Sequence, residues 1–272
     1  IVINAMLTSM NHHYGKAAEF AIPKANGVSS VGFVLGTAMI GTIAVIFPSL
    51  WRVGLLLAIP VAIAVFALGR DKESEDHVPD AVGRQSGKLS RIFWISWIGF
   101  VACISSEFAV SFWAAALLKD RVGSSAAIST TAVAAIGFGM ILGRWYGPNI
   151  LRRLTLDGQL LVAISTQFLG FVAFWFSHSM PISLISLFTI GLGVSIQFAL
   201  ASIRLIAFSD GRPDLAIGRS SFAAGVAIAA APFLLGVLGD NFGISRAYIM
   251  VPVLIAISFV IVKFIPSNPV QA

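Results

Sequence analysis

The sequence predicts an all-α integral membrane protein, and three observations carry that reading. Of 272 residues, 57% are hydrophobic and only 11% charged, against roughly 25% charged in a typical soluble domain. The mean hydropathy is +0.91, which leaves too few charges to coat the outside of a water-soluble fold of this size. Apolar stretches recur along the chain at the length of about 20 residues that a helix rising ~1.5 Å per residue needs to cross ~30 Å of hydrocarbon. The same composition excludes other classes. The 25 glycines and 11 prolines follow no period, and Cys103, the single cysteine, can form neither an internal disulfide nor a Cys-based metal site. The net charge of +6 comes from basic residues dispersed between apolar runs, without the clustered stripe that grips a nucleic-acid backbone. Nucleic acid is therefore not an expected partner, and the excess reads as membrane-topology charge.

Taken in order, residues 1–14 read as the end of a helix cut short, since fourteen residues are too few to cross and Ile1 is not a start methionine. No basic n-region or small-residue cleavage site marks them as a signal peptide, so a longer protein is expected. Residues 25–50 form the first full span, and Trp51-Arg52 turns the chain into a second at 53–69. The segment 70–91, rich in Asp, Glu, Lys, Arg, Ser and Gly, reads as a solvated linker. Then come spans at 92–118 and 122–143. The uncharged run 158–203 is long enough for two helices, broken at Ser177-His178-Ser179-Met180-Pro181. Spans at 217–239 and 245–265, separated by Gly239-Asp240-Asn241-Phe242-Gly243, complete eight full helices.

Positive charge orients these spans, because basic residues stay on the cytoplasmic side. Threading the chain gives one set of loops fourteen of the 18 Lys and Arg, including Arg144, Arg152, Arg153 and Arg204, and leaves four, Arg52, Lys119, Arg121 and Arg246, for the other. The 70–91 linker and the C-terminus are thus expected in the cytoplasm, with the protein in the cell (inner) membrane.

An internal repeat organises the helices further. Gly27-Val28-Ser29-Ser30 recurs as Gly218-Arg219-Ser220-Ser221, 191 residues later, each at the start of the second-last helix of its half. Six helices follow the linker, and the two before it correspond to the last two of those six. If the halves are parallel repeats, the missing start lies roughly 100 residues before Ile1. The division is then 1–69 for the remainder of a first bundle, 70–91 for the linker, and 92–272 for a second bundle.

With this organisation the sequence resembles the major facilitator superfamily (MFS) of secondary transporters, whose members join two six-helix bundles through a cytoplasmic linker. The resemblance spans the chain as part of family helix 4 plus helices 5–12. The family's cytoplasmic motif, a glycine, an acidic residue and a basic cluster, is approached by Gly143-Arg144-Trp145-Tyr146-Gly147-Pro148-Asn149-Ile150-Leu151-Arg152-Arg153, with Gly147 at the acidic position. The stretch from Gly236 to Arg246, at the opposite face, is similar to the motif in spacing. Thr37 stands where the drug/proton antiporters of the family carry proline. The resemblance implies proton-coupled transport of a small organic solute by alternating access, with an antiporter or a uniporter as alternatives within the family, and a non-transporting scaffold or a channel as rivals outside it. A monomer with a small-molecule substrate, protons and the lipid bilayer as partners, and with no cofactor, is the expectation. By the same resemblance Gly143, Arg144, Arg152 and Arg153 form the cytoplasmic gate motif.

The residues themselves nominate a solute or proton site. Glu107 lies sixteen positions into a predicted helix of 27, ~24 Å from one end and ~17 Å from the other, where an ionised carboxylate is costly and a functional role is the default. Ser96, Cys103, Glu107 and Ser111 share its face; the bland alternative is a glutamate bonded to a neighbouring helix. Asn4, Thr8 and Asn11 form a polar stripe on the first partial helix, suited equally to a cavity wall or to a helix contact. Gln197 sits mid-span beside Gly193 and Ala201, whereas Gln167 falls in a helix that is peripheral in the family. Phe112 and Trp113 are candidates for stacking on a solute, and Trp94 and Trp97 read as interfacial anchors. Gly137, Gly139, Gly143 and Gly147 read as close helix packing, since no strand precedes them and no Lys-Ser/Thr follows, as a phosphate loop requires. No HExxH or GxSxG occurs, the four histidines lie at ends or loops, and no two acids share a span, so neither an enzyme nor a metal centre is expected.

Overall fold

In a computed structural model, residues 18–47, 56, 59, 60, 63 and 87–267 are described. Among them the regular structure is helical: α1 (Ala18–Ile46), α2 (Arg91–Val122), α3 (Ala126–Ala132), α4 (Ala134–Leu151), α5 (Leu156–Phe176), α6 (Met180–Val194), α7 (Gln197–Ala207), α8 (Pro213–Phe242), α9 (Ile244–Ala247) and α10 (Met250–Phe264). Pairs α3–α4, α6–α7 and α9–α10 each continue across a short interruption. Six helical stretches among the described residues are therefore long and apolar enough to cross a membrane: Arg91–Val122, Ala126–Leu151, Leu156–Phe176, Met180–Ala207, Pro213–Phe242 and Ile244–Phe264. The chain is a multi-pass membrane protein. Residues 1–14, the 70–86 part of the linker and nearly all of the 53–69 span lie outside the described residues, so of the helix pair expected over 25–69 only the first member, α1, is described.

Local chemistry sets the helix ends. The hydroxyls of Ser90, Ser125 and Thr155 cap α2, α3 and α5, accepting from the backbone N–H three residues on, at 3.3, 3.3 and 3.2 Å. Pro181 and Pro213 occupy the first turns of α6 and α8, where a missing N–H costs nothing. Gly123 closes α2 with φ 71°, its N–H donating to the Lys119 carbonyl. The helices outrun the apolar windows that predict them. The end of α2 passes residue 118 to take in Lys119 and Arg121 in its last turn, where positive charge meets the negative end of the helix dipole. Likewise α1 is already helical at Ala18, the first described residue, and carries Pro23 and Lys24 within it, ahead of the expected start at 25.

Helix α2 occupies the middle of the assembly, packed against α3, α7, α8 and α10, while α6 lies between α4 and α5, and α1 covers α3 and α4. The interior is filled by fully buried Phe93, Phe100, Phe171, Phe174 and Tyr248. Tyr248 stacks on Phe171 with ring centroids 6.0 Å apart. Glycine sets the approach of α6 to both neighbours. A Cβ on Gly139 of α4 would sit 2.9 Å from the Gly191 Cα, and one on Gly193 would sit 2.7 Å from the Gln167 Cα of α5. These contacts bear on backbone and give no room for a side chain.

Candidate functional site

The span Met180–Ala207 breaks between α6 and α7. Ser195 and Ile196 interrupt the helix, and the Ser195 hydroxyl turns back to the Leu192 carbonyl at 2.6 Å. Interruption frees backbone carbonyls, which in a membrane interior must find another donor. Arg144 of α4 supplies one: its Nε donates to the Ser195 carbonyl at 3.0 Å, and its Nη1 donates to the Ser30 hydroxyl of α1. Gly143 makes the approach feasible, since a Cβ there would run into the Ser195 side chain. One guanidinium thus joins α1, α4 and the α6–α7 break.

Glu107 is buried in α2, sixteen residues from Arg91 and fifteen from Val122. It is close enough to Arg144 for the two charges to act on each other. This corrects the sequence reading in one respect. The charge count puts Arg144 in a cytoplasmic loop, but α4 runs on to Leu151 and carries Arg144 within the helical stretch. Hydropathy windows end a span at its first charge, and here the helix continues past it because the charge has buried partners.

Beside this pair lies a closed polar ring. The Cys103 thiol donates to the Gln197 Oε1 at 2.7 Å, Gln197 Nε2 to the Gln167 Oε1 at 2.9 Å, Gln167 Nε2 to the Ser106 Oγ at 3.0 Å, and Ser106 Oγ to the Cys103 carbonyl at 2.8 Å. The ring joins α2, α5 and α7, and both glutamines are 1% exposed. Gln197, expected at a solute site, spends its amide oxygen and one amide hydrogen on protein partners, and Gln167, expected to be peripheral, is one of them. In a low-dielectric interior such a satisfied network locks helix register.

The remaining candidates are dispersed. The Trp113 indole donates to the Pro232 carbonyl of α8 at 2.8 Å, and its ring lies where a Cβ on Gly236 would need to be, 2.7 Å from Cζ2. The indole N–H and one edge of the ring thus face α8, and the side chain is half-buried. Phe112 is exposed, 6.1 Å from the Phe108 ring centroid, and Ser111 beside it is half-buried. Ser96 is buried and its hydroxyl has no partner among the described residues. Trp97 donates to the Arg219 carbonyl at 3.0 Å, next to the exposed Trp94. Arg152 and Arg153 lie exposed in the turn after α4. Asn4, Thr8 and Asn11 lie outside the described residues.

A feature that the sequence reading missed is a buried ion pair. Arg204 Nε donates to Asp157 Oδ1 at 2.9 Å with side chains 3% and 13% exposed. Arg204 also donates to the Ile265 carbonyl, and Asp157 Oδ2 accepts the Ser267 N–H. The Phe208 ring lies beneath the guanidinium, 5.0 Å away. The charge count places Arg204 in a loop; the signal to the contrary is that Asp157 and Arg204 bracket the uncharged run 158–203, which folds back on itself as two helices. No family model and no curated protein matches the chain.

Proposed function

We propose that the chain belongs to a proton-coupled secondary transporter of the major facilitator type, moving a small organic solute across the cell membrane by alternating access. The observation that carries this reading is the Glu107 carboxyl, buried near the middle of the central span α2 and within electrostatic reach of Arg144 at the α6–α7 break. A carboxyl so placed has two competing partners, a proton and a guanidinium. When the helices around the break shift, Arg144 moves relative to Glu107, and the proton is taken up or released accordingly. Ser111 and Phe112, one turn along α2 from Glu107, are the side chains assigned to the solute. Arg152 and Arg153 act at the cytoplasmic gate, the 70–91 linker and the C-terminus lie in the cytoplasm, and the transporter works as a monomer in the inner membrane.

The test is accumulation in proteoliposomes under an imposed pH gradient, with a panel of radiolabelled amino acids, sugars and carboxylates. Glu107→Gln is expected to abolish gradient-driven accumulation of whichever solute the unmodified protein concentrates, while exchange of that solute across the membrane persists. Unchanged accumulation in the variant removes the coupling role, and accumulation of no solute by the unmodified full-length protein removes the transport reading.

A further inference from the structure

A cavity lies at the other end of the molecule from Arg152 and Arg153, where α2, α5 and α8 end and α9 begins. Its volume is about 590 Å³, and its wall includes Arg121, Trp175, Leu238, Phe242, Arg246 and Ile249. The wall is predominantly apolar, and Phe242 and Ile249 are 61% and 60% exposed. Two arginines approach it from different elements, the last turn of α2 and the short helix α9. The Arg121 Nε is buried and has no hydrogen-bond partner among the described residues. No acid lines the cavity in the described residues; the nearby Asp120 carboxylate accepts the Ser245 hydroxyl instead. The Trp175 indole donates to the Ser245 carbonyl at 2.9 Å, which fixes its ring as a rigid side of the opening.

This combination fits one kind of occupant. A soluble anion would leave the apolar wall uncovered, and an uncharged acyl chain would leave the two guanidinium groups of the wall without a counter-charge. The cavity also opens at the ends of the spans, the level at which headgroups lie and tryptophan and arginine anchor. We propose that it seats an anionic phospholipid, with the phosphate between Arg121 and Arg246 and an acyl chain along Leu238, Phe242 and Ile249. The seat is independent of the Glu107 site and of the transport reading. It clamps the ends of α2 and α8 to α9, across the loop that starts the last span.

Native mass spectrometry of the purified full chain, titrated in mixed micelles with phosphatidylglycerol or phosphatidylcholine, tests the proposal. One phosphatidylglycerol is expected to be retained in preference to phosphatidylcholine. Each of Arg121→Gln and Arg246→Gln should lower that retention about 5-fold, the equivalent of ~1 kcal/mol per arginine near a charged lipid. Arg246 is exposed, so its variant preserves the fold even if Arg121→Gln does not, and Arg246→Lys should recover part of the loss. Arg219→Gln, at the opposite end of α8, should change nothing. Equal retention of the two lipids overturns the proposal, as does undiminished retention in Arg246→Gln. Displacement of the lipid by millimolar inorganic phosphate, with the same arginine dependence, would assign the cavity to a soluble anion and overturn the lipid assignment.

Discussion

The Asp157–Arg204 pair shows how much depends on single side chains where a helix bundle meets the membrane surface. Arg204 is buried and Asp157 half-buried, and each has a second backbone partner beyond α10, so the pair holds the chain after Phe264 against α5 and α7. Removing one partner leaves a buried charge unmatched, which costs on the order of 3 kcal/mol or more, whereas exchanging both for apolar groups of similar volume is often neutral. Asp157→Asn is therefore expected to lower the thermal unfolding midpoint in detergent clearly, and Asp157→Leu combined with Arg204→Met to restore most of it. A double variant no more stable than Asp157→Asn alone would show that the backbone partners dominate. The residue scale is also where the sequence was least informative. Glu107 stands out from composition and depth alone, but its neighbour Arg144, the links from Cys103 to Gln197, from Gln197 to Gln167 and from Gln167 to Ser106, and the Asp157–Arg204 pair join residues 30 or more positions apart on different helices. A one-dimensional reading assigns every charge near a span's end to water, because it has no view of the partner that makes burial tolerable.

Elements were far more legible, since hydropathy acts over a length of about 20 residues and needs no tertiary information. All six spans from 92 onward coincide with described helices, and the break near Ser177–Pro181 falls between α5 and α6 as its turn chemistry requires. The Ser195–Ile196 interruption was not legible, because it lies within an unbroken apolar run and is sustained by the Arg144 contact from another helix. Packing of α6 offers a test at this scale. Gly139→Ala and Gly193→Ala place a Cβ against backbone atoms of the facing helix, an overpacking that costs typically about 1–3 kcal/mol. Gly218→Ala in α8 meets nothing within 4 Å and replaces a poor helix former by the best one. Thermal unfolding in detergent should place the first two well below the unmodified protein and Gly218→Ala at or above it. Equal behaviour of all three would mean that α6 does not approach its neighbours through glycine.

At the scale of the whole molecule, consecutive spans alternate in direction, so the ends at Val122, Phe176 and Phe242 share one face and those at Leu151 and Ala207 share the other. Placing Arg144 and Arg204 inside their spans weakens the charge argument for orientation but does not reverse it. Among the described residues, Lys88, Arg91, Arg152, Arg153, Arg212, Arg219 and Lys263 still lie at the second face, against Lys119, Arg121 and Arg246 at the first. By the positive-inside rule the second face is the one expected in the cytoplasm. Buried Cys103 is the only cysteine, so a Cys103→Ser background permits a clean measurement of sidedness. On intact cells producing the full-length protein, a membrane-impermeant maleimide should label cysteines introduced at the exposed His178 and Asn241. Cysteines at the exposed Arg153 and Leu154 should react only after the cells are opened. The reverse pattern would invert the topology and move the anionic-lipid seat to the cytoplasmic leaflet. Labelling of all four positions on intact cells would contradict the alternation of the spans, and with it the access from two sides that proton coupling at Glu107 requires.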